Sequence, residues 1–304
     1  MQFRRRLAGS GLRTESRANP DAPWESADPQ STPGYASPFT EAFEWQHATA
    51  WGATDGDVVL PFQPLSFRDF MLFEQHNIDA SRGYARRFLP AASRLAAVAE
   101  RVTRRPFRPF RPAALWYRQP IYYMSNALTF VPSGVPVAFP GYSRALDYEL
   151  ELGFVLKAPL RDATPAEAER AIGAFVVVCD FSARDVQIAE MRSGFGPQKA
   201  KHFAGSLSQT AVVADAVLPR WRELRATVRI NGEVIARPTA GTARYSLGEV
   251  LAHASASESL HPGELFGTGT FVGGSGMECD RWLHPGDSLE LEIEGVGRIE
   301  HAIR

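Results

Sequence analysis

Leu146-Asp-Tyr-Glu-Leu-Glu-Leu-Gly-Phe154 alternates strictly from Tyr148 onward. Successive side chains of a strand point to opposite faces. Tyr148, Leu150 and Leu152 therefore share one face, and Glu149 and Glu151 share the other. Residues two apart lie about 6.6 Å apart along a strand, so two carboxylates can converge on one hard cation. Leu289-Glu-Leu-Glu-Ile-Glu294 alternates equally well and reads as a strand with a solvated face. Alternation alone leaves both readings open.

The flanking sequence has the texture of a β domain. From residue 113 short apolar runs alternate with Gly and Pro turns, as in Val131-Pro-Ser-Gly-Val-Pro136. Phe175–Cys179 reads as a buried strand, preceded by a short helix with Thr164 as cap and Pro165 in its first turn. Ser182 reads as the cap of a helix from Ala183 to about Met191, with Asp185 in the capping-box place. Further strands are expected at 224–231, 234–237, 267–272, 288–294 and 297–303, with a helix over Leu247–Ser255. There is no repeat of solenoid length. The expected class is α+β, β-rich, with a few peripheral helices.

Upstream of this core the reading is different. Residues 1–40 hold Pro20, Pro23, Pro29, Pro33 and Pro38 among Ser, Asp and Arg, and are expected to form a flexible arm. Arg4, Arg5 and Arg6 precede no apolar h-region, which excludes the pattern of a secretory signal. Residues 41–112 read as an N-terminal segment packed on the core, and 113–304 as the core itself. Ser66–Tyr84 reads as helical or mixed, and Ala91–Thr103 as a helix. Residues 81–112 carry nine arginines against one acid, Glu100. Such a block suits an anion or an oligomer partner, or is a solvated surface.

Composition sets the outer limits. The chain has 304 residues, 44% hydrophobic, with net charge -1. That fraction excludes a wholly disordered chain, and the balance of charge argues against a nucleic-acid binder. Ala171–Cys179, the longest apolar run, is far short of the roughly 20 residues of a membrane span. Two cysteines, Cys179 and Cys279, make no disulfide framework, and a reducing, cytoplasmic setting is expected. The lysines are three, Lys157, Lys199 and Lys201, and two of them fall in one short segment.

The remaining candidates are chemical. Asp180 ends an apolar run, where a buried carboxylate needs a cation, donors or a proton. Asp69 and His76 are seven apart, which on one helix is two turns and a shared face. Arg184 and Gln187, three apart, share a helix face. With Lys199 and Lys201 they offer donors for an anionic substrate and a developing oxyanion, or belong to a surface helix and loop. Gly267-Thr-Gly-Thr270 runs on through a Gly-rich stretch to Met277-Glu278 and allows close backbone approach. It is neither a phosphate loop nor a dinucleotide fingerprint, and the cysteines lack zinc spacing.

Taken together these motifs resemble the fumarylacetoacetate hydrolase family. The resemblance rests on Asp69-x6-His76, Tyr122-Tyr123, Glu149-x-Glu151, Asp180-Phe-Ser-Ala-Arg-Asp-Val-Gln187, Lys201-x-Phe203 and the stretch from Gly267 through Glu278 to Pro285-Gly-Asp287. It covers about residues 60 to 304. It implies a mixed β-roll or sandwich of the family's C-terminal-domain type, a homodimer, and a Mg²⁺ or Ca²⁺ site, with Mn²⁺ also suited to all-oxygen ligands. The implied metal ligands are Asp69, Glu149, Glu151 and Asp180. His76 matches the general base and Glu278 the carboxylate that orients it. Arg184, Gln187 and Lys201 match substrate and oxyanion contacts; Tyr123 and Thr270 match substrate-binding positions. The implied activity is hydrolysis of a C–C bond in a β-diketo acid or acylpyruvate, an anionic small molecule. Decarboxylation or isomerisation through an enolate, and non-catalytic metal binding, are the alternatives.

Overall fold

The computed structural model describes residues 1–29, 32 and 39–304. The early strands are β1 (Gln2–Ala8), β2 (Gly11–Arg17), β3 (Glu25–Ser26), β4 (Val58–Val59) and β5 (Phe67–Phe70). Then come β6 (Tyr122–Ser125), β7 (Phe130–Pro132), β8 (Leu146–Asp147), β9 (Leu150–Leu156), β10 (Ile172–Asp180) and β11 (Ser182–Ala183). The remainder are β12 (Gly205–Leu207), β13 (Ala211–Val213), β14 (Ala226–Ile230), β15 (Glu233–Ala236), β16 (Leu265–Gly267), β17 (Ser288–Ile293) and β18 (Gly297–Ala302). The helices are α1 (Glu41–Ala50), α2 (Glu74–Phe88), α3 (Pro90–Thr103), α4 (Pro165–Arg170), α5 (Arg184–Arg192), α6 (Ala214–Val217), α7 (Leu247–Ser255) and α8 (Gly276–Cys279).

A large mixed sheet runs β3-β2-β1-β13-β10-β9-β16-β5-β6, with β4, β12 and β7 paired along it. A second sheet runs β15-β14-β17-β18, and β8 pairs with β11. The architecture is α+β and β-rich, as expected. β10 is buried along all nine residues, because both faces of the large sheet are covered. One face packs Leu152, Phe154, Phe175 and Val177 against Leu289, Leu291 and Val250 of the smaller sheet and α7. The other packs Val155, Val176 and Val178 against Phe3, Phe67 and Phe130.

Several expectations require correction. Residues 2–17 are no flexible arm: β1 pairs with β2 from Gln2↔Arg17 to Ala8↔Gly11, and with β13 and β4. Phe3, Arg5 and Leu7 point inward, and Arg5 meets Glu44 in a buried ion pair at 2.5 Å. An arginine in an inward place breaks the apolar alternation, so the strand is invisible to a periodicity reading. Pro33 and Pro38 lie outside the described residues. The strands before residue 113 therefore belong to the sheet of β9 and β10 itself, where a segment packed on a core at 113–304 was expected.

Ser182 does not cap α5. It lies in β11, its hydroxyl donates to the Asp180 carbonyl, and Ala183 holds the N-cap place of α5 with no side-chain cap. Asp185 instead accepts from Ser143 Oγ and the Arg144 amide. The strand expected at 267–272 ends at Gly267, after which Thr268 turns its hydroxyl to the Gly269 carbonyl. The caps at Thr164 and Ser246 form as capping boxes.

Candidate active site

Asp69, Glu149, Glu151 and Asp180 are all buried, and one carboxylate oxygen of each lies within 4.8 Å of the others. Three backbone segments deliver them. Asp69 is on β5, opposite Gly267 of β16 and Tyr123 of β6. Glu149 immediately precedes β9 and Glu151 lies within it, so the alternation puts both on one side. Asp180 ends β10, and its amide donates to the Glu149 carbonyl at 3.1 Å. Asp69 and His76 do not share a helix face: Phe67–Phe70 is a strand, and α2 begins only at Glu74. The two reach the site from different elements. Four residues of β5 are too few to show a period of two.

Two cations face the cluster. Lys201 Nζ donates to Glu149 Oε2 and, at 2.6 Å, to Asp180 Oδ2. The loop that carries it is tied down by Glu190, whose carboxylate accepts from the amides of Gln198, Lys199 and Ala200 at 2.7–3.1 Å. The sequence reading passed over Glu190. Lys199 is exposed and faces the Tyr142 ring, so the pairing of rare lysines marks one site residue. Arg184 Nη2 lies 2.7 Å from Glu149 Oε1, Nε donates to Asp147 Oδ2 at 2.8 Å and Nη1 to Gln187 Oε1 at 3.0 Å. That guanidinium faces three protein side chains, and its Nη2 lies beside Glu149 without closing a hydrogen bond. Gln187 keeps its amide NH₂ for other partners. The Tyr123 hydroxyl donates to Asp180, and Thr270 Oγ1 approaches Glu151 Oε1 at 3.4 Å.

Beside the cluster stands a histidine–carboxylate pair. His76 Nδ1 lies 3.0 Å from Glu278 Oε2, a close but bent contact, and Nε2 lies 3.9 Å from Glu149 Oε1. Glu278 is fixed by its own turn, accepting from the Gly273 amide and from Ser275 N and Oγ at 2.9–3.1 Å. Burial opposes the imidazolium, but the Glu278 charge and contact, with Glu149 behind, hold His76 above its ordinary value.

The sequence reading also missed Asp147, which is wholly buried. It accepts from the amides of Gly276 and Met277 at 2.8 and 3.2 Å, as well as from Arg184. An acid beside Tyr148, at the head of the decisive strand, was the available signal.

The cluster fits a hard divalent cation. Four carboxylates face two cations, and Arg184 is shared with Asp147. Burial first, and then the Asp180 charge, push Asp69 up to about 8. Burial and the Asp69 charge raise Glu151 well above the carboxylate range. Burial alone would raise Glu149 too, but Arg184 and Lys201 hold it below. Asp69 Oδ1 and Glu151 Oε2 are buried without a hydrogen-bond partner, and both face Gly267, where a Cβ would lie 2.8 and 2.6 Å from them, respectively. Orphaned acceptors of this kind are costly unless a cation or proton satisfies them. All the donors are oxygens, which disfavours zinc.

The human mitochondrial oxaloacetate tautomerase is 29% identical over 189 residues, covering 62% of this chain and 82% of that protein. The Escherichia coli bifunctional isomerase/decarboxylase of 4-hydroxyphenylacetate degradation is 25% identical over 185 residues, covering 61% of this chain and 41% of that one. A fumarylacetoacetate hydrolase from Exiguobacterium antarcticum superposes with a TM-score of 0.69 at 18% identity, covering 100% of this chain and 99% of that one. At that identity the superposition shows a shared fold. Residues 95–304 match the fumarylacetoacetate hydrolase C-terminal family model. With more than two thirds of its length inside that match and its fold shared, the chain belongs to the fumarylacetoacetate hydrolase family.

Proposed function

We propose that this protein is a metal-dependent hydrolase that cleaves a C–C bond of a β-diketo acid or acylpyruvate. The observation that carries the proposal is a buried histidine–carboxylate pair at the rim of a four-carboxylate cluster. Asp69, Glu149, Glu151 and Asp180 would hold Mg²⁺ or Ca²⁺, with Mn²⁺ a third candidate; when bound, the ion polarises a substrate carbonyl. His76 takes a proton from water, and Glu278 holds the ring and its charge. General-base assistance of this kind is worth about 10²–10⁴-fold. The hydroxide adds to the carbonyl carbon, the C–C bond breaks, and the departing carbon regains the proton from His76. The products are a carboxylic acid and a ketone. Lys201 offers an ammonium to the developing negative charge, and the Gln187 amide offers a neutral donor beside it; Tyr123, whose hydroxyl donates to Asp180, would bound the substrate position. Thr270 and Arg184 hold Glu151 and Glu149. The homodimer and cytoplasmic location belong to the same reading.

Across a panel of acylpyruvates supplied with Mg²⁺, Glu149→Ala should abolish cleavage and His76→Ala should lower it by about 10²–10⁴-fold, leaving a measurable residue. Near-full activity in His76→Ala would sink the hydrolytic mechanism.

One observation favours a second reading, keto–enol isomerisation: sequence relatives include oxaloacetate tautomerases and an isomerase/decarboxylase. Such chemistry shares proton transfer at an enolisable acid but needs no attacking water. Turnover in H₂¹⁸O separates them, since hydrolysis places ¹⁸O in the acid released by C–C cleavage.

A further inference from the structure

We propose that Asp147 is the positioning residue that sets the base pair against the metal ligands. The inference rests on the reading of His76–Glu278 as the base and of the carboxylate cluster as the metal site. It concerns how the two are held in register. They arrive on separate pieces of chain: Glu149 precedes β9, and Glu278 sits in α8, about 130 residues later. One carboxylate joins them. Asp147 Oδ1 accepts from the amides of Tyr148 (2.9 Å) and Gly276 (2.8 Å). Asp147 Oδ2 accepts from the Met277 amide (3.2 Å) and Arg184 Nε (2.8 Å). The far side of the same guanidinium lies on Glu149. Thus one branch runs Asp147–Arg184–Glu149 to the cluster, and the other runs Asp147–α8–Glu278 to His76. Every acceptor direction of the carboxylate is used, and the side chain is wholly buried. It never touches the space beside His76, so its effect passes through the groups it holds.

A packing role alone would predict lost stability without selective loss of turnover. Positioning predicts a different pattern in Asp147→Asn, which keeps the shape and removes the charge and one acceptor. Histidine ¹⁵N NMR of the full chain, with the His76 signals identified by their loss in His76→Ala, should show them displaced in D147N. Mg²⁺ affinity by calorimetry should stay within about tenfold of wild type. With acetylpyruvate and Mg²⁺, kcat should fall about 10²-fold, as a small misplacement of a catalytic group costs, while KM stays within about threefold. In the His76→Ala background D147N should cost under about threefold more, because residues acting as a unit are not additive.

Undisturbed His76 signals, or a kcat loss that multiplies fully with that of His76→Ala, would overturn the proposal. If D147N does not fold, Asp147→Ser, which is smaller and keeps an acceptor, repeats the measurement. Failure of both to fold would assign Asp147 to folding and count against it. If the wild type does not turn over acetylpyruvate, the functional reading is what has failed, and the NMR and calorimetry still decide the coupling.

Discussion

His76 and His301 are both buried, and their surroundings push them in opposite directions. Glu278 holds His76 up. Burial drives His301 down to about 4, while its ring contacts the Val135 carbonyl at 2.6 Å and Ser206 Oγ at 2.7 Å. His301 is therefore neutral in the fold. As pH falls below about 6.5 the unfolded chain takes up its proton first, so the contribution is complete above that pH and is lost toward pH 4. It amounts to at most about 3 kcal/mol. Urea unfolding at pH 7 and pH 4.5 should show this slope in wild type and a shallower one in His301→Gln; equal slopes would refute the assignment. At this scale the residue types of the site were legible, because a buried acid or a rare lysine announces a need for partners. Glu190 was not, because it works by accepting backbone amides, which no side-chain pattern records, and Asp147 showed only as an acid at the head of the decisive strand.

Secondary elements were legible where their signals are local. Thr164 caps α4 as read, and the helix expected over Leu247–Ser255 forms as α7 with Ser246 as its cap, since a capping box lies within four residues. Ser246→Ala should cost about 1 kcal/mol of stability in denaturant unfolding. β5 and the start of α5 were misread because tertiary pairing overrides short-range periodicity. Gly83 of α2 poses the same conflict more sharply. In a helix interior alanine is better than glycine by about 1 kcal/mol. A Cβ at Gly83, however, would come within 1.8 Å of the Met277 carbonyl. Gly83→Ala must push α2 off α8 and take His76 away from Glu278. Turnover should drop at least tenfold without loss of Mg²⁺ binding; a more stable variant with full activity would show the contact to be slack.

Across the whole molecule, the mixed β-rich core was legible from residue 113 onward, and the N-terminal part of the sheet was not. Phe3 and Leu7 are buried, and β1 lies between β2 and β13. Deleting residues 1–9 should remove about 3–6 kcal/mol of apolar burial from those two side chains and expose the β13 edge. A truncated chain as heat-stable as the full one would contradict that placement. No helix among the described residues is long and apolar enough to cross a membrane, and both cysteines are free. The Arg-rich segment leaves Leu95, Val98 and Val102 of α3 exposed, which a core-facing helix would not. Every functional reading of this fold depends on the four carboxylates acting as one cation site. Calorimetric titration of the EDTA-treated, dialysed protein with Mg²⁺ tests it directly. One ion should bind per chain, with binding abolished in Glu151→Ala while the fold persists. Absence of binding in wild type, or unchanged binding in Glu151→Ala, would contradict the account.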